Sequence, residues 1–271
     1  METSTTMKDL KKEIFFEVIE ESPEGFNNSD YWKQIIRVND NGERTLLHTA
    51  TSQYQLIRNE ELYKPLFKVV ENHNGKFTRY INEFRGVRNW VEFEFPDKSF
   101  KIGEIEFKPR LTLKNSYDSS LNFCATMTIL TNNTPLKNYG IGGKVKHQGK
   151  DNRVMFDLSE IGNNIVNSIE GFQTTIKPFM EQVISHKIKI DNIPEIINLI
   201  CKKSMSLSDR RLDLIQNSIK FEIDKKSSSS NLTLFDLYVI ISNNIEALKS
   251  KNARDTNQTI LTKSIERIIT K

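Results

Sequence analysis

Two kinds of residue in this 271-residue chain have the type and spacing to do chemistry: paired acids on strand-like segments, and cations interleaved with aromatic rings. Glu92 and Glu94, then Glu104 and Glu106, stand two residues apart, which on a strand is one face. If those strands pair, four carboxylates share that face, and hard cations would relieve the repulsion as in a metal-dependent nuclease. Lys98, Lys101, Lys108 and Arg110 lie in the same segments and neutralise the acids more simply, as a solvated mixed-charge strand. The cations beside rings are Arg79 with Tyr80, Arg85, and Arg88 with Trp90, followed by Lys108, Arg110 and Lys114. A sheet face with cations for phosphates and rings for bases is what single-strand binding requires. The competing reading places Trp90 in the core, where strand aromatics usually go.

Other chemistries lack their spacing. His48, His73, His147 and His186 are far apart, and none stands three or four residues from another His or Cys. No zinc spacing results, and no metal or cofactor is expected. Cys124 and Cys201 are too few for a disulfide scaffold. The lysines of CKKS would lower the thiol pKa at Cys201, but no His or Asn is placed to serve it. GIGGK at 140–144 has glycines and a lysine but neither the Walker nor the GxGxxG spacing, which disfavours nucleotide hydrolysis. What remains there is a basic loop, Gly143–Arg153, with Lys144, Lys146, Lys150 and Arg153 as phosphate contacts.

These residues sit in a chain with 27% charged and 37% hydrophobic residues, including 16 Phe, so a core can form. No stretch approaches 18 uncharged apolar residues, which excludes a transmembrane helix, and residues 1–21 lack a signal-peptide layout. The expected location is therefore the cytoplasm of a host cell. Net charge is only +4, but residues 1–50 carry 10 acids against 6 Lys or Arg, whereas residues 101–150 carry 8 Lys or Arg against 3 acids. One surface that attracts anions is implied, or else neighbouring faces that neutralise one another.

Periodicity then assigns the elements. Lys8–Glu21 has a helical stripe of Leu10, Ile14, Phe15 and Val18, ended by Pro23 and Gly25. Extended pieces follow at Ile35–Val38 and Thr45–Ala50, then a helix over Asn59–Asn72 with Asn59 as its cap and Pro65 inside. Phe77–Phe84, Arg88–Phe95, Glu104–Lys114 and Asn122–Thr131 read as four strands of an antiparallel meander with one wet face. A glycine loop follows, then one helix of seven or eight turns from Ile161 to Ile184, opened by the capping box Asp157 and Glu160. Shorter helices are expected near Pro194, over Asp209–Ile223, Thr233–Lys249 and Gln258–Ile268, with DKKSSSSN as a hinge.

From about Thr45 to Val183 the order of features resembles the phage/plasmid-like proteins, a large family described by a domain of unknown function. Its tyrosine-to-asparagine phrase is matched by Tyr54-Gln55-Leu56-Ile57-Arg58-Asn59, and its glycine-arginine phrase by Arg85-Gly86-Val87-Arg88-Asn89-Trp90. The "NS-x-DGS" loop resembles Asn115-Ser116-Tyr117-Asp118-Ser119-Ser120, with Ser119 in place of the glycine. Asn133-Thr134 is similar to an "NT" phrase, with Thr131 where a cysteine is usual, and His147-Gln148-Gly149-Lys150 resembles a basic "H-x-G" element. Asn115, Asp118, Ser120, Asn133 and His147 are therefore the motif residues. Membership implies a phage, prophage or plasmid origin and no established reaction. The order of strands followed by a long helix is also similar to the core of single-strand annealing recombinases, which form rings around a basic groove; a homo-oligomer is implied.

The expected fold is α+β: an antiparallel meander packed against one long helix over residues 1–190, with a helical region over 191–271 hinged near 225–231. The leading functional expectation is a phage-encoded, non-catalytic single-stranded-DNA-binding protein of annealing type. Lys108, Arg110, Lys114, Lys144, Lys146, Lys150 and Arg153 would meet phosphates, and Arg88 with Trp90 would meet bases. The C-terminal helices would recruit a phage or host protein. The alternatives are a protein-interaction module without nucleic acid, such as a host-enzyme inhibitor or assembly component, and a metal-dependent nuclease.

Overall fold

The computed structural model describes residues 11, 13–23, 31–132, 134–145, 153–202, 205, 207–225 and 232–270. It is an α+β protein with antiparallel sheets and a C-terminal helical region. Strands β1 (Glu17–Glu21), β2 (Trp32–Val38) and β3 (Arg44–Thr51) form one sheet in that order. Helix α1 (Asn59–Asn72) follows, then β4 (Lys76–Glu83), β5 (Arg88–Glu94), β6 (Phe100–Ile102), β7 (Ile105–Ser116), β8 (Phe123–Thr131) and β9 (Thr134–Val145). These six strands make a second sheet ordered β4-β5-β7-β8-β9, with β6 beside β7. Helices α2 (Arg153–Glu170), α3 (Phe172–Ser185), α4 (Ile193–Ile197), α5 (Asp209–Lys225), α6 (Leu234–Glu246) and α7 (Lys251–Ile269) complete the chain, with a short pair β10 (Lys187–Ile188) and β11 (Leu232–Thr233). None of the described helices is long and apolar enough to cross a membrane.

The four meander strands lie where alternation placed them, but three elements differ from the sequence reading. Glu17–Glu21 is a strand, not the end of a helix: it pairs antiparallel with β2 from Glu17 opposite Val38 to Glu21 opposite Gln34. β-Branched Val18 and Ile19 suit a ladder, and a long-range partner overrides the local helical spacing. The glycine segment 140–143 is strand, not loop, because β9 continues through it beside β8. A Cβ at Gly142 would stand 3.1 Å from the Asn164 side chain, so glycine there admits the close approach of α2. The long helix is interrupted at Gly171, giving α2 and α3; Pro178 in α3 also lacks the N–H that would bond the carbonyl four residues back. Because α2 starts at Arg153, Asp157 and Glu160 are helix interior and not a cap.

Pro65 does not end α1, since Leu62, Tyr63, Leu66, Phe67 and Val70 are all buried on one stripe. Burying five such side chains, at about 1.5–3 kcal/mol each, exceeds the roughly 3 kcal/mol cost of an interior proline. Arg58, not Asn59, is the N-cap, and the Glu61 carboxylate accepts from the Arg58 amide at 3.2 Å.

The chain divides into two compact units: Met1–Asp97 with Arg110–Thr126 and Gly140–Ile169, and Lys98–Pro109 with Met127–Tyr139 and Glu170–Lys271. In the first, α1 packs on the sheet through edge-on ring pairs, Tyr63 to Phe123 and Phe67 to Phe93, each with centroids 5.4 Å apart. The β1-β2-β3 sheet buries Val18, Ile35, Leu47 and Ala50 with Tyr54, Val87 and Tyr117. In the second, Phe107 stacks on Phe100 at 5.2 Å, and Ile176, Met180 and Val183 of α3 share a core with Leu237, Ile241, Leu261 and Ile265. Tyr238 Oη and Thr262 Oγ1 are hydrogen-bonded at 2.8 Å inside that core. Of the expected hinge near 225–231, Lys225 ends α5 and residues 226–231 lie outside the described residues.

Candidate nucleic-acid interface

Strand register decides which of the expected contact residues share a face. Trp90 lies between Ile81 of β4 and Lys114 of β7, Glu92 between Arg79 and Thr112, and Glu94 opposite Arg110. Partners opposite one another project to the same side, so cations and acids alternate on one face of the first unit. The Arg110 guanidinium donates from Nη2 to Glu94 Oε1 at 2.8 Å and stands 3.3 Å from Glu92 Oε2 through Nη1. Glu92 is only 2% exposed, so Arg110 is the counter-charge of a buried carboxylate. Lys108 pairs with Glu106 at 3.1 Å. Arg88 donates from Nε to Ser120 Oγ at 2.8 Å, pairs with Asp118 at 3.3 Å and covers the Phe84 ring at 5.0 Å. Lys114 is half-buried.

Trp90 is a correction to the sequence reading. Its side chain is 1% exposed, so its ring belongs to the interior and offers no face to a base. The carboxylates are also not an open metal cradle, since Glu92 and Glu94 close on Arg110 and Glu106 on Lys108. Among the described residues no group of three or more His, Cys, Asp or Glu is placed to hold a metal ion. Lys144 lies near the end of β9 and Arg153 at the first position of α2. Lys146, His147, Lys150 and Asn133 lie outside the described residues.

Two of the quoted phrases meet in one buried network, and the third reaches it through backbone, the Tyr117 N–H donating to the Val87 carbonyl at 2.8 Å. The Asn59 amide N–H donates to Tyr117 Oη at 3.0 Å, and Asn59 Nδ2 donates to the Ile14 carbonyl at 3.1 Å. Asn115 Nδ2 donates to Asn59 Oδ1 at 2.9 Å, and Tyr54 Oη donates to the Tyr117 carbonyl at 2.9 Å. Asn89 Nδ2 donates to the Gly86 carbonyl at 2.8 Å while its Oδ1 accepts from Tyr80 Oη at 2.7 Å. Asn59, Asn89 and Asn115 are at most 1% exposed, so their amides bind peptide segments to one another instead of facing a ligand. Burial pushes the Tyr54, Tyr80 and Tyr117 phenols above their ordinary range, which keeps them protonated as donors.

The loop that follows is built the same way. Asp118 Oδ1 accepts from the Ser120 amide at 2.9 Å, and Ser116 Oγ accepts from the Leu121 amide at 2.9 Å. Burial pushes the Asp118 carboxyl up, but bonds from Ser120 and Ser116 and the nearby Arg88 charge outweigh it, and the net shift is downward. Ser119 has φ +57, in the left-handed region that favours glycine.

Sequence reasoning missed a cleft of about 1010 Å³ along the outer side of β3, lined by Trp32, residues 48–55 and Ser119. Trp32 is 45% exposed, which makes it the accessible member of the chain's two tryptophans. His48 meets Tyr54 edge-on at 5.8 Å. The only signal in the sequence was a tryptophan opening an extended segment, since nothing local shows that β3 lies at a sheet edge. The chain matches no protein-family model, no curated protein and no solved structure.

Proposed function

We propose that the protein is a non-catalytic single-stranded-DNA-binding protein of annealing type, encoded by a phage or another mobile element. The observation that carries this reading is the order of parts: antiparallel strands β7, β8 and β9 lead directly into α2, and the connection is basic. Residues 144–153 hold Lys144, Lys146, Lys150 and Arg153 against the single acid Asp151. Because Arg88, Lys108 and Arg110 already pair with acids, this connection and Lys114 are the proposed phosphate contacts. The likeness to the phage/plasmid-like proteins is supported by Ser119, whose left-handed backbone falls where that pattern carries glycine. The test is binding of a labelled single-stranded oligonucleotide at two salt concentrations, with duplex and magnesium controls. Affinity that falls steeply with salt is expected, because each bound cation displaces counterions. Absent or salt-insensitive binding overturns the reading.

A second reading, a protein-interaction module, is favoured by one observation in the second unit. Leu214 and Phe221, 45% and 66% exposed, stand seven residues apart on α5 and so share its outer face. A complex that survives nuclease treatment and is lost in Leu214→Glu and Phe221→Glu supports it.

A further inference from the structure

We propose that the cleft beside β3 receives the unpaired bases of single-stranded nucleic acid, with Trp32 as the ring they stack on; this rests on the function proposed above. The cleft's volume is at the upper end of the roughly 300–1,000 Å³ usual for ligand sites. Among the described residues its lining contains no Lys, Arg, Asp or Glu, so those residues are not arranged around a phosphate or an ammonium group. It offers instead one exposed indole and neutral donors and acceptors: Thr49, Gln53 and Ser119 beside His48. That combination suits the faces and edges of unstacked bases.

The backbone of β3 adds to it. The Ser52 amide donates to the Tyr31 carbonyl at 3.0 Å, and antiparallel ladders alternate, so Thr49 and Thr51 turn their own N–H and C=O groups away from β2. An added peptide strand is the weaker occupant of this edge. The ladder is bulged between Ile35 and Ile36, and the Thr51 carbonyl already accepts from the Tyr54 amide at 3.0 Å. Charge is supplied next door. A recess sharing Gln55 is lined by Glu20, Lys33 and Arg58; Lys33 pairs with Glu20 at 3.0 Å, which leaves Arg58 as the cation a phosphate would meet. The Arg58 pair with Glu61, at 3.9 Å, is exposed on both sides and exchanges readily for a phosphate.

The experiment titrates the full chain with end-labelled oligo-dT while following label anisotropy and tryptophan emission together. With Trp90 buried, the emission change reports Trp32. The expected result is quenching that tracks anisotropy, a loss of affinity on the order of tenfold in Trp32→Ala, and near wild-type affinity in Trp32→Phe. Anisotropy that rises equally in Trp32→Ala with unchanged emission overturns the cleft assignment and leaves the annealing reading standing. No rise in anisotropy overturns both. Quenching by an uncharged extended peptide but not by oligo-dT assigns the edge to a polypeptide and overturns the proposal.

Discussion

The side-chain amide of Asn115 donates to Oδ1 of Asn59 across 2.9 Å, with both residues fully enclosed, and so ties the end of β7 to the first turn of α1. The same asparagine at 59 reaches the Ile14 carbonyl, so a single side chain connects three stretches distant in sequence. A buried amide left without its partner costs its full desolvation. Asn115→Ala is therefore expected to destabilise the protein by about 2 kcal/mol, and Asn59→Ala by a similar amount. The double variant should lose less than the sum, by about 1 kcal/mol, since both remove the same bond. Urea unfolding of the four proteins measures this, and simple additivity would contradict it.

Ser119 and Gly86 make opposite predictions about backbone. Ser119 has φ +57, and Ser119→Gly is expected to raise stability by about 0.5–1 kcal/mol by removing left-handed strain. Gly86 has φ +107, and a Cβ there would stand 2.9 Å from the Phe16 ring and 3.2 Å from Arg37 Nη1. Gly86→Ala should therefore cost about 1–3 kcal/mol. Thermal melts in which the two variants shift the same way would refute this.

Arg110 is predicted to matter for folding before it matters for binding. Arg110→Ala removes a counter-charge from the buried Glu92 carboxylate and is expected to cost about 3–5 kcal/mol. Glu92→Leu combined with Arg110→Met, which removes both charges, should recover most of that loss. Denaturation of both variants tests the claim, and a folded, stable Arg110→Ala protein would return Arg110 to the list of phosphate contacts.

Alkaline pH should weaken the fold. Burial pushes the Cys201 thiol up to about 12, and the Tyr63 and Tyr238 phenols are raised as well. A thiol with a raised folded-state value contributes stability that is whole below its unfolded value of about 8.5 and is lost as pH climbs toward the folded one. Stability measured from pH 8 to 11 should fall steadily. At pH 8 a thiol reagent should modify half-buried Cys124 and spare Cys201 until the chain unfolds.

Much of the architecture was legible because apolar side chains recur at every second position along the strands: Val91 and Phe93 on β5, or Phe123, Ala125, Met127 and Ile129 on β8, announce their pleat. β1 was not legible, because Val18 and Ile14 also fit a helical stripe and only pairing with β2 decides between them. The glycines of β9 erase any alternation, so that strand depends on its neighbour. In the candidate interface, charge and ring could be counted but not paired. Nothing near Arg110 in sequence shows that Glu92 and Glu94 will close on it, and a strand tryptophan reads the same whether it is covered, as at position 90, or open, as at position 32. Asn115 was visible as a motif residue and Asn59 and Asn89 stood within quoted phrases, but the bond between Asn59 and Asn115 is a property of long-range packing.

The central claim is that the basic connection between β9 and α2 holds single-stranded DNA, and its most direct test is the salt dependence of binding. The wild-type chain is compared with a variant carrying Gln at Lys144, Lys146, Lys150 and Arg153, using one labelled oligonucleotide over a range of salt. Each lost phosphate contact removes about 0.7 from the slope of log K against log salt for a single strand. The account predicts a slope shallower by about 2–3 and much weaker binding at low salt. An unchanged slope with unchanged affinity would contradict it.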